Sequence, residues 1–186
     1  MTGSAPEHAP ATVIVMGVSG SGKTTIGTLL AQRLGWDFLD ADALHPAANV
    51  AKMRAGVPLT DADRAPWLAA LAAWIDRQRD TGTPSVLACS ALRRVYRDAL
   101  VRGAAEVRVV HLTGPAPLIA ARMGGRSGHF MPASLLQDQL DTLQAPSPGE
   151  RALTVSVEPA PDEIVTDIIR GLGLRERTEM PPGSLA

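Results

Sequence analysis

The sequence predicts an α/β protein, a parallel sheet sandwiched by helices, and three observations carry that expectation. Short apolar runs alternate with helically periodic stretches along the chain, the pattern of a parallel sheet covered on both faces. The first run, Thr12-Val-Ile-Val-Met16, leads straight into a glycine-rich loop and then a helical segment. That loop, Gly17-Val-Ser-Gly-Ser-Gly-Lys-Thr24, is a complete G-x-x-x-x-G-K-[ST] pattern. Placed between a buried strand and a helix, it marks a P-loop NTPase.

Each element follows in order. Residues 1–11 read as a flexible arm, and Thr12–Met16 as the first strand. The helix from Thr24 to Leu34 ends at Gly35, a residue suited to a C-cap. Asp37-Phe-Leu-Asp40 is a short second strand. Residues 46–56 carry a helical pattern (Ala48, Val50, Ala51, Met53) that stops at Gly56, and Pro58 bars continuation. Thr60-Asp-Ala-Asp63 is an N-cap region for a helix from about Asp61 to Asp80. Its Trp67, Leu68, Leu71, Trp74 and Ile75 recur at i, i+1, i+4, i+7 and i+8, a core-facing stripe. Ser85–Ser90 is a buried strand. Ala91 to Arg102 reads as a helix with Leu92, Val95, Ala99 and Leu100 inward. Val107–Leu112 is the next strand, and Pro115 to Met123 a helix with proline in its first turn. Residues 124–132 break regular structure. Ala133–Leu143 is helical, Ala152–Val157 is the last strand and Asp162–Gly171 the last helix. Residues 12–174 therefore form one domain, with a lid over about 122–137, and residues 175–186 a loose tail.

Composition narrows the function classes. The chain is 45% hydrophobic and only 3% aromatic, so its core is built from Ala, Leu, Val and Ile. A net charge of −1 argues against a nucleic-acid or membrane-surface role. One cysteine, Cys89, lies in an apolar strand and permits no internal disulfide, which points to a reducing, cytoplasmic setting. No apolar run reaches the ~18 residues of a membrane span. Only two of the 18 basic residues are lysines, Lys23 and Lys52, so a lysine in the loop is a selective choice.

The loop implies phosphate chemistry. Gly17, Val18, Ser19, Gly20, Ser21, Gly22, Lys23, Thr24 and Thr25 are expected to wrap the phosphates of ATP. Successive backbone N–H groups and the helix N-terminus face the anion, Lys23 reaches the β- and γ-phosphates, and Thr24 ligates Mg²⁺. Asp40 and Asp42 are expected on one side of the second strand's carboxyl edge, from strand alternation. A carboxylate there either holds a Mg²⁺ water or accepts a proton from an attacking hydroxyl; capping of the next helix is the plainer role. Arg122 and Arg126 flank Gly124-Gly125, as suits a hinged lid that closes over the transferring phosphate, with His129-Phe130 pinning it. Arg93 and Arg94 follow the third strand at the same edge. Arg64 is a candidate fork for a substrate carboxylate, and His45 lies just after the paired aspartates.

Several stretches together resemble the gluconokinase family. They are Met16-Gly-Val-Ser-Gly-Ser-Gly-Lys23, Phe38-Leu-Asp-Ala-Asp-Ala-Leu-His-Pro46, Asn49 with Lys52-Met53, and Gly56-Val-Pro-Leu-Thr-Asp-Ala-Asp-Arg-Ala-Pro-Trp-Leu68. Cys89-Ser-Ala-Leu-Arg-Arg-Val-Tyr-Arg-Asp98, Gly128-His-Phe130 and Leu143-Gln-Ala-Pro146 complete the set, from about Val13 to Gly171. The resemblance implies a nucleoside-monophosphate-kinase-like fold with a mobile lid, and a homodimer. It implies ATP- and Mg²⁺-dependent phosphorylation of D-gluconate to 6-phosphogluconate, feeding the pentose phosphate or Entner–Doudoroff routes. In that reading Lys23, Asp42 and Arg126 are catalytic. Arg122 and Pro159 join the ATP site, the latter beside the adenine. Thr24, and Asp40 through water, hold the metal. Asp42, His45, Lys52, Arg64, Ser90 and Arg93 meet the substrate. Where the family often carries Lys, this chain has Arg93 and Arg94, and its lid is richer in glycine. Two other readings stay open from the residues: a P-loop kinase for another small hydroxy acid such as a shikimate-like one, and a non-catalytic nucleotide-binding module.

Overall fold

A computed structural model describes residues 11–124 and 133–177. Five parallel strands form one sheet in the order β2-β3-β1-β4-β5. They are β1 Thr12–Met16, β2 Asp37–Asp40, β3 Ser85–Ala88, β4 Val107–Thr113 and β5 Leu153–Ser156. The helices are α1 Lys23–Leu34, α2 Ala47–Arg54, α3 Asp61–Asp80, α4 Arg94–Val101, α5 Ala116–Gly124, α6 Ala133–Thr142 and α7 Pro161–Gly171.

Strand alternation builds two cores. Strand β1 is central, paired with β3 on one side and β4 on the other, and every residue of it is buried. Val13 and Val15 point to the face covered by α1 and α7; Ile14 and Met16 point to the face covered by α3 and α4. Val86 and Leu87 of β3 divide the same way, as do Val110 and Val109 of β4. A one-residue slip would exchange both sets, so register is strongly specified. The carboxyl ends of β1, β2 and β3 lie side by side, and ligand sites of parallel sheets gather at such an edge.

The helices match the sequence expectation closely, with informative exceptions. Helix α3 spans the expected residues, and its start is fixed by a reciprocal capping box of Thr60 and Asp63. Trp67, Leu68, Leu71 and Ile75 are buried on it. Gly35, at φ 68°, takes the left-handed C-cap of α1. Helix α4 starts three residues later than expected: Ala91 sits at φ 42°, and the backbone becomes helical only at Arg94. Its inward face is also shifted. Val95 is 53% exposed, whereas Tyr96, Arg97 and Leu100 are buried. The hydrophobic pattern pointed at Val95 because it gave no reason to bury an arginine. At the other end, Arg177 N–H donates to the Arg33 carbonyl and Glu176 pairs with the Arg33 guanidinium, so residues 176–177 are tied to α1 rather than loose.

Candidate active site

The phosphate loop leaves the carboxyl end of β1 and closes on the first turn of α1. Gly20, at φ +81°, lies so close to α5 that a Cβ would stand 2.5 Å from Met123 Cγ and 2.9 Å from the Ile119 carbonyl. Only glycine fits that approach. The first turn of α1 has no side-chain cap and no acidic residue. Its N–H groups and positive dipole end are therefore left to an anion, and no carboxylate repels it. Lys23 Nζ donates to the Val18 carbonyl at 3.0 Å, and Thr24 Oγ1 donates to Asp40 Oδ2 at 2.7 Å.

Asp40 and Asp42 are brought together, but not by alternation. Strand β2 ends at Asp40, and Asp42 lies in a 3₁₀ turn, Ala41–Leu44. Asp40 caps that turn, accepting from Asp42 N–H at 3.0 Å through Oδ1 while Oδ2 meets Thr24. The capping role and the bond to the Thr24 hydroxyl thus coexist in one carboxylate. Asp42 is left exposed and lines the main cavity.

That cavity, of about 650 Å³, joins the loop residues Ser19 and Lys23 to Asp42, His45, Arg64, Ser90 and Arg93. The His45 ring stacks on Trp67 at 4.3 Å, and Trp67 Nε1 in turn donates to the Ala41 carbonyl at 2.8 Å. Burial lowers the His45 pKa from its ordinary value; Asp42 opposes the shift and Arg64 adds to it. His45 Nδ1 is buried with no hydrogen-bond partner. Across the cavity, Arg64 and Arg93 lie over the Tyr96 ring at 5.6 and 5.5 Å. Arg93 Nη1 donates to both oxygens of Asp61, at 2.8 and 2.6 Å, and the Tyr96 hydroxyl donates to Asp61 Oδ1 at 2.5 Å. The Tyr96 and then the Arg93 bonds hold the Asp61 carboxyl below its usual range. Arg64 is oriented by its bond to the Leu59 carbonyl at 2.5 Å.

Two expected residues stand elsewhere. Lys52 is absent from the cavity lining and donates to Asp63 Oδ1 at 2.7 Å. That bond, first, and the Thr60 cap, second, hold the Asp63 carboxyl at about 2. Lys52 is thus spent on anchoring α2 to the start of α3. Arg94 is exposed on α4, is absent from the cavity lining and pairs with Asp98. Arg126, His129 and Phe130 lie outside the described residues, with most of the expected lid, and so do residues 1–10 and 178–186. Arg122 Nη2 donates to the Val157 carbonyl at 2.8 Å, which ties the end of α5 to the segment holding Pro159. Cys89 is buried, and burial pushes its thiol up to about 12, as befits an inert core group.

Residues that sequence reasoning missed come from α6 and from the turn before α4. Asp138, Gln139, Asp141 and Thr142 line the cavity. Their signal was present: polar residues at helical spacing on a helix that also carries buried Leu136. The turn after β3 is held by the nearby Arg97 side chain and by the distant Gln144. Arg97, 2% exposed, donates to the Ala91 and Leu92 carbonyls and pairs with Glu150. Gln144 N–H donates to the Leu92 carbonyl at 2.8 Å, and Gln144 Oε1 accepts from Arg94 N–H at 2.8 Å. The Cys89–Asp98 and Leu143–Pro146 stretches therefore interlock, and together they present Ser90 and Arg93.

Comparison with known proteins bears on this geometry. Residues 13–146 match the family model described as an AAA domain. The gluconokinase of Gluconobacter oxydans is 51% identical over 161 residues, 87% of this chain and 90% of that protein. The chain belongs to the gluconokinase family. Among solved structures, a gluconokinase from Sinorhizobium meliloti superposes with a TM-score of 0.79 at 46% identity, over 89% of this chain and 93% of that one. An unliganded sugar kinase from Janibacter sp. HTCC2649 gives 0.83 at 47% identity, over 89% of this chain and 95% of that one. The cavity draws on the P-loop (Ser19, Lys23), the start of α3 (Asp61, Arg64) and the turn before α4 (Ser90, Leu92, Arg93). Among the described residues no helix is long and apolar enough to cross a membrane.

Proposed function

We propose that this chain transfers the γ-phosphoryl group of ATP to the 6-hydroxyl of D-gluconate. The carrying observation is one cavity with Lys23 and Asp42 at one part of its wall and the Arg64–Tyr96–Arg93 cluster at another. Gluconate has the matching asymmetry: a primary hydroxyl at one end, a carboxylate at the other and a row of hydroxyls between. Asp42 orients the attacking hydroxyl and takes its proton as the new O–P bond forms and the β–γ bridging bond breaks. Lys23, Arg122 and, from the lid, Arg126 offset charge on the phosphoryl oxygens. Loop residues Gly17–Thr25 hold the phosphates, and Pro159 borders the adenine. Arg64 and Arg93 hold the carboxylate, while His45 and Ser90 meet the sugar-acid hydroxyls.

The residues present also fit Mg²⁺. Thr24 Oγ1 and Asp40 Oδ2 are 2.7 Å apart at the phosphate loop, the hydroxyl and carboxylate such a site uses. Among the described residues no cluster of three or more His, Cys, Asp or Glu is placed to cage a metal. That suits an ion held mainly by phosphates and water. When bound, Mg²⁺ held by Thr24 and, through water, Asp40 would neutralise negative charge on the phosphates. The reading extends to a cytoplasmic homodimer, supported by the family resemblance and, for the compartment, by the single buried thiol.

The deciding measurement is ADP release from Mg-ATP with D-gluconate, against glucose, shikimate, glycerate and AMP. Turnover with gluconate alone is expected. Turnover with shikimate or glycerate instead would retain the kinase chemistry and overturn the acceptor, and tight ATP binding without acceptor-dependent turnover would overturn transfer itself.

A further inference from the structure

The peptide joining Val18 to Ser19 in the phosphate loop is held at both ends by side chains. Its carbonyl, Val18 O, accepts from Lys23 Nζ at 3.0 Å. Its N–H, on Ser19, donates to Gln139 Oε1 at 2.7 Å, and Gln139 Nε2 donates to Ser19 Oγ at 2.9 Å. Gln139 is 120 residues away in sequence, on α6. A primary amide suits this pair of contacts because it offers an acceptor and a donor side by side.

The same helix is seated on the loop by apolar contact. Leu136 packs in a small buried cluster with Val18, Leu92 and Ile119. Ser19, Lys23 and Gln139 all line the main cavity. Rotation of the Val18–Ser19 peptide would break the Gln139 bond and withdraw the carbonyl from Lys23 together, since a planar peptide turns as one unit.

We propose that Gln139 is a positioning residue for phosphoryl transfer, fixing the Val18–Ser19 peptide and through it the ammonium of Lys23. The inference rests on the assignment of Lys23 to the transferring phosphate. Misplacement of a charge-stabilising group acts on the transition state more than on acceptor binding. Gln139→Leu keeps the side chain's approximate size and removes both polar contacts. It is expected to lower kcat roughly 10- to 100-fold, the scale of an ångström-level misplacement, with a smaller change in the KM for gluconate. Gln139→Glu keeps an acceptor for the Ser19 N–H and should recover part of the loss.

The test is steady-state kinetics of Gln139→Leu and Gln139→Glu in wild-type and Lys23→Ala backgrounds, with thermal melts of each protein. If Gln139 acts through Lys23, Gln139→Leu lowers kcat in the wild type but adds little in Lys23→Ala, because residues acting as a unit are not additive. Equal losses in both backgrounds, or a change confined to the KM for gluconate, would overturn the inference. So would a folded Gln139→Leu enzyme with normal kcat while Lys23→Ala is inactive. An active Lys23→Ala enzyme would instead bring down the underlying assignment of Lys23. Should the leucine variant not fold, kcat of the glutamate variant decides: a value equal to wild type overturns the inference, and a reduced kcat with unchanged KM supports it.

Discussion

Arg97 Nε donates to Glu150 Oε2 at 2.5 Å, and Arg97 Nη2 donates to Glu150 Oε1 at 3.1 Å, in a pair whose arginine side chain is only 2% exposed. The remaining Arg97 nitrogen, Nη1, supports the Ala91 and Leu92 carbonyls at 3.1 and 3.2 Å. This is the turn that carries Ala91 at φ 42° and presents Arg93 to the cavity. The pair therefore links fold stability to the placement of a site residue.

Removing Arg97 takes the ion-pair partner from a largely covered Glu150, which keeps only its Ser147 hydrogen bonds. Arg97→Ala should destabilise the protein by about 3–5 kcal/mol, a large share of an ordinary domain's stability. Replacing both partners, as Arg97→Met with Glu150→Leu, should cost less than Arg97→Ala alone, because no lone charge remains. Denaturant melts of both proteins check the order.

The same pair fixes a pH window. Chiefly through its Arg97 bond, Glu150 is held at about 2, well below the ordinary value of 4.5. A carboxylate lowered on folding contributes stability that is complete above its unfolded value and is lost as pH falls toward its folded one. The wild type should lose stability between about pH 5 and pH 2, and Glu150→Gln should lose less over that interval. Urea midpoints measured down the acid range provide the comparison.

His45 makes a second, local titration prediction. Burial lowers its pKa below 6.5, with Asp42 pulling upward and Arg64 pushing downward. The imidazole should be largely neutral at pH 7, and its midpoint by NMR should lie below 6.5. Asp42→Asn should lower that midpoint further, and Arg64→Ala should raise it. A midpoint above 6.5, or shifts of the opposite sign, would contradict the geometry around the ring.

Legibility in the sequence tracked locality. The phosphate loop, β1 and α1 are contiguous, so their spacing alone placed Gly17 through Thr25. Helix α3 was legible because its cap, Thr60 to Asp63, and its stripe, Trp67 to Ile75, are both short-range patterns. What escaped notice was held by distant partners. Arg97 is buried because Glu150, 53 residues on, pairs with it, and nothing near position 97 announces that partner. Lys52 lay near the right motif, yet its ammonium is taken by Asp63 eleven residues on. Gln139 reads as one more solvent-facing polar side chain of α6 until Ser19 is set beside it.

The Arg64–Tyr96–Arg93 cluster carries the acceptor side of the proposed reaction, and the two arginines are not equivalent. Arg93 shares both Asp61 oxygens, whereas Arg64 is braced by the Leu59 carbonyl. A substrate carboxylate at Arg93 competes with Asp61; at Arg64 it meets no such rival among the hydrogen bonds described. Arg64→Ala should therefore raise the KM for gluconate about 10- to 100-fold, the loss of one charged hydrogen-bonding group. Arg93→Ala should raise it by less. Arg64→Lys should recover little, since an ammonium cannot reproduce the fork that reaches Leu59 and a carboxylate together. The KM for ATP should stay within about threefold throughout, a shift below 1 kcal/mol. Steady-state kinetics with each substrate varied in turn separates the outcomes. A rise in the KM for ATP matching that for gluconate would move Arg64 to the nucleotide side, and a larger effect at Arg93 would make Asp61 a guide for the carboxylate rather than its competitor.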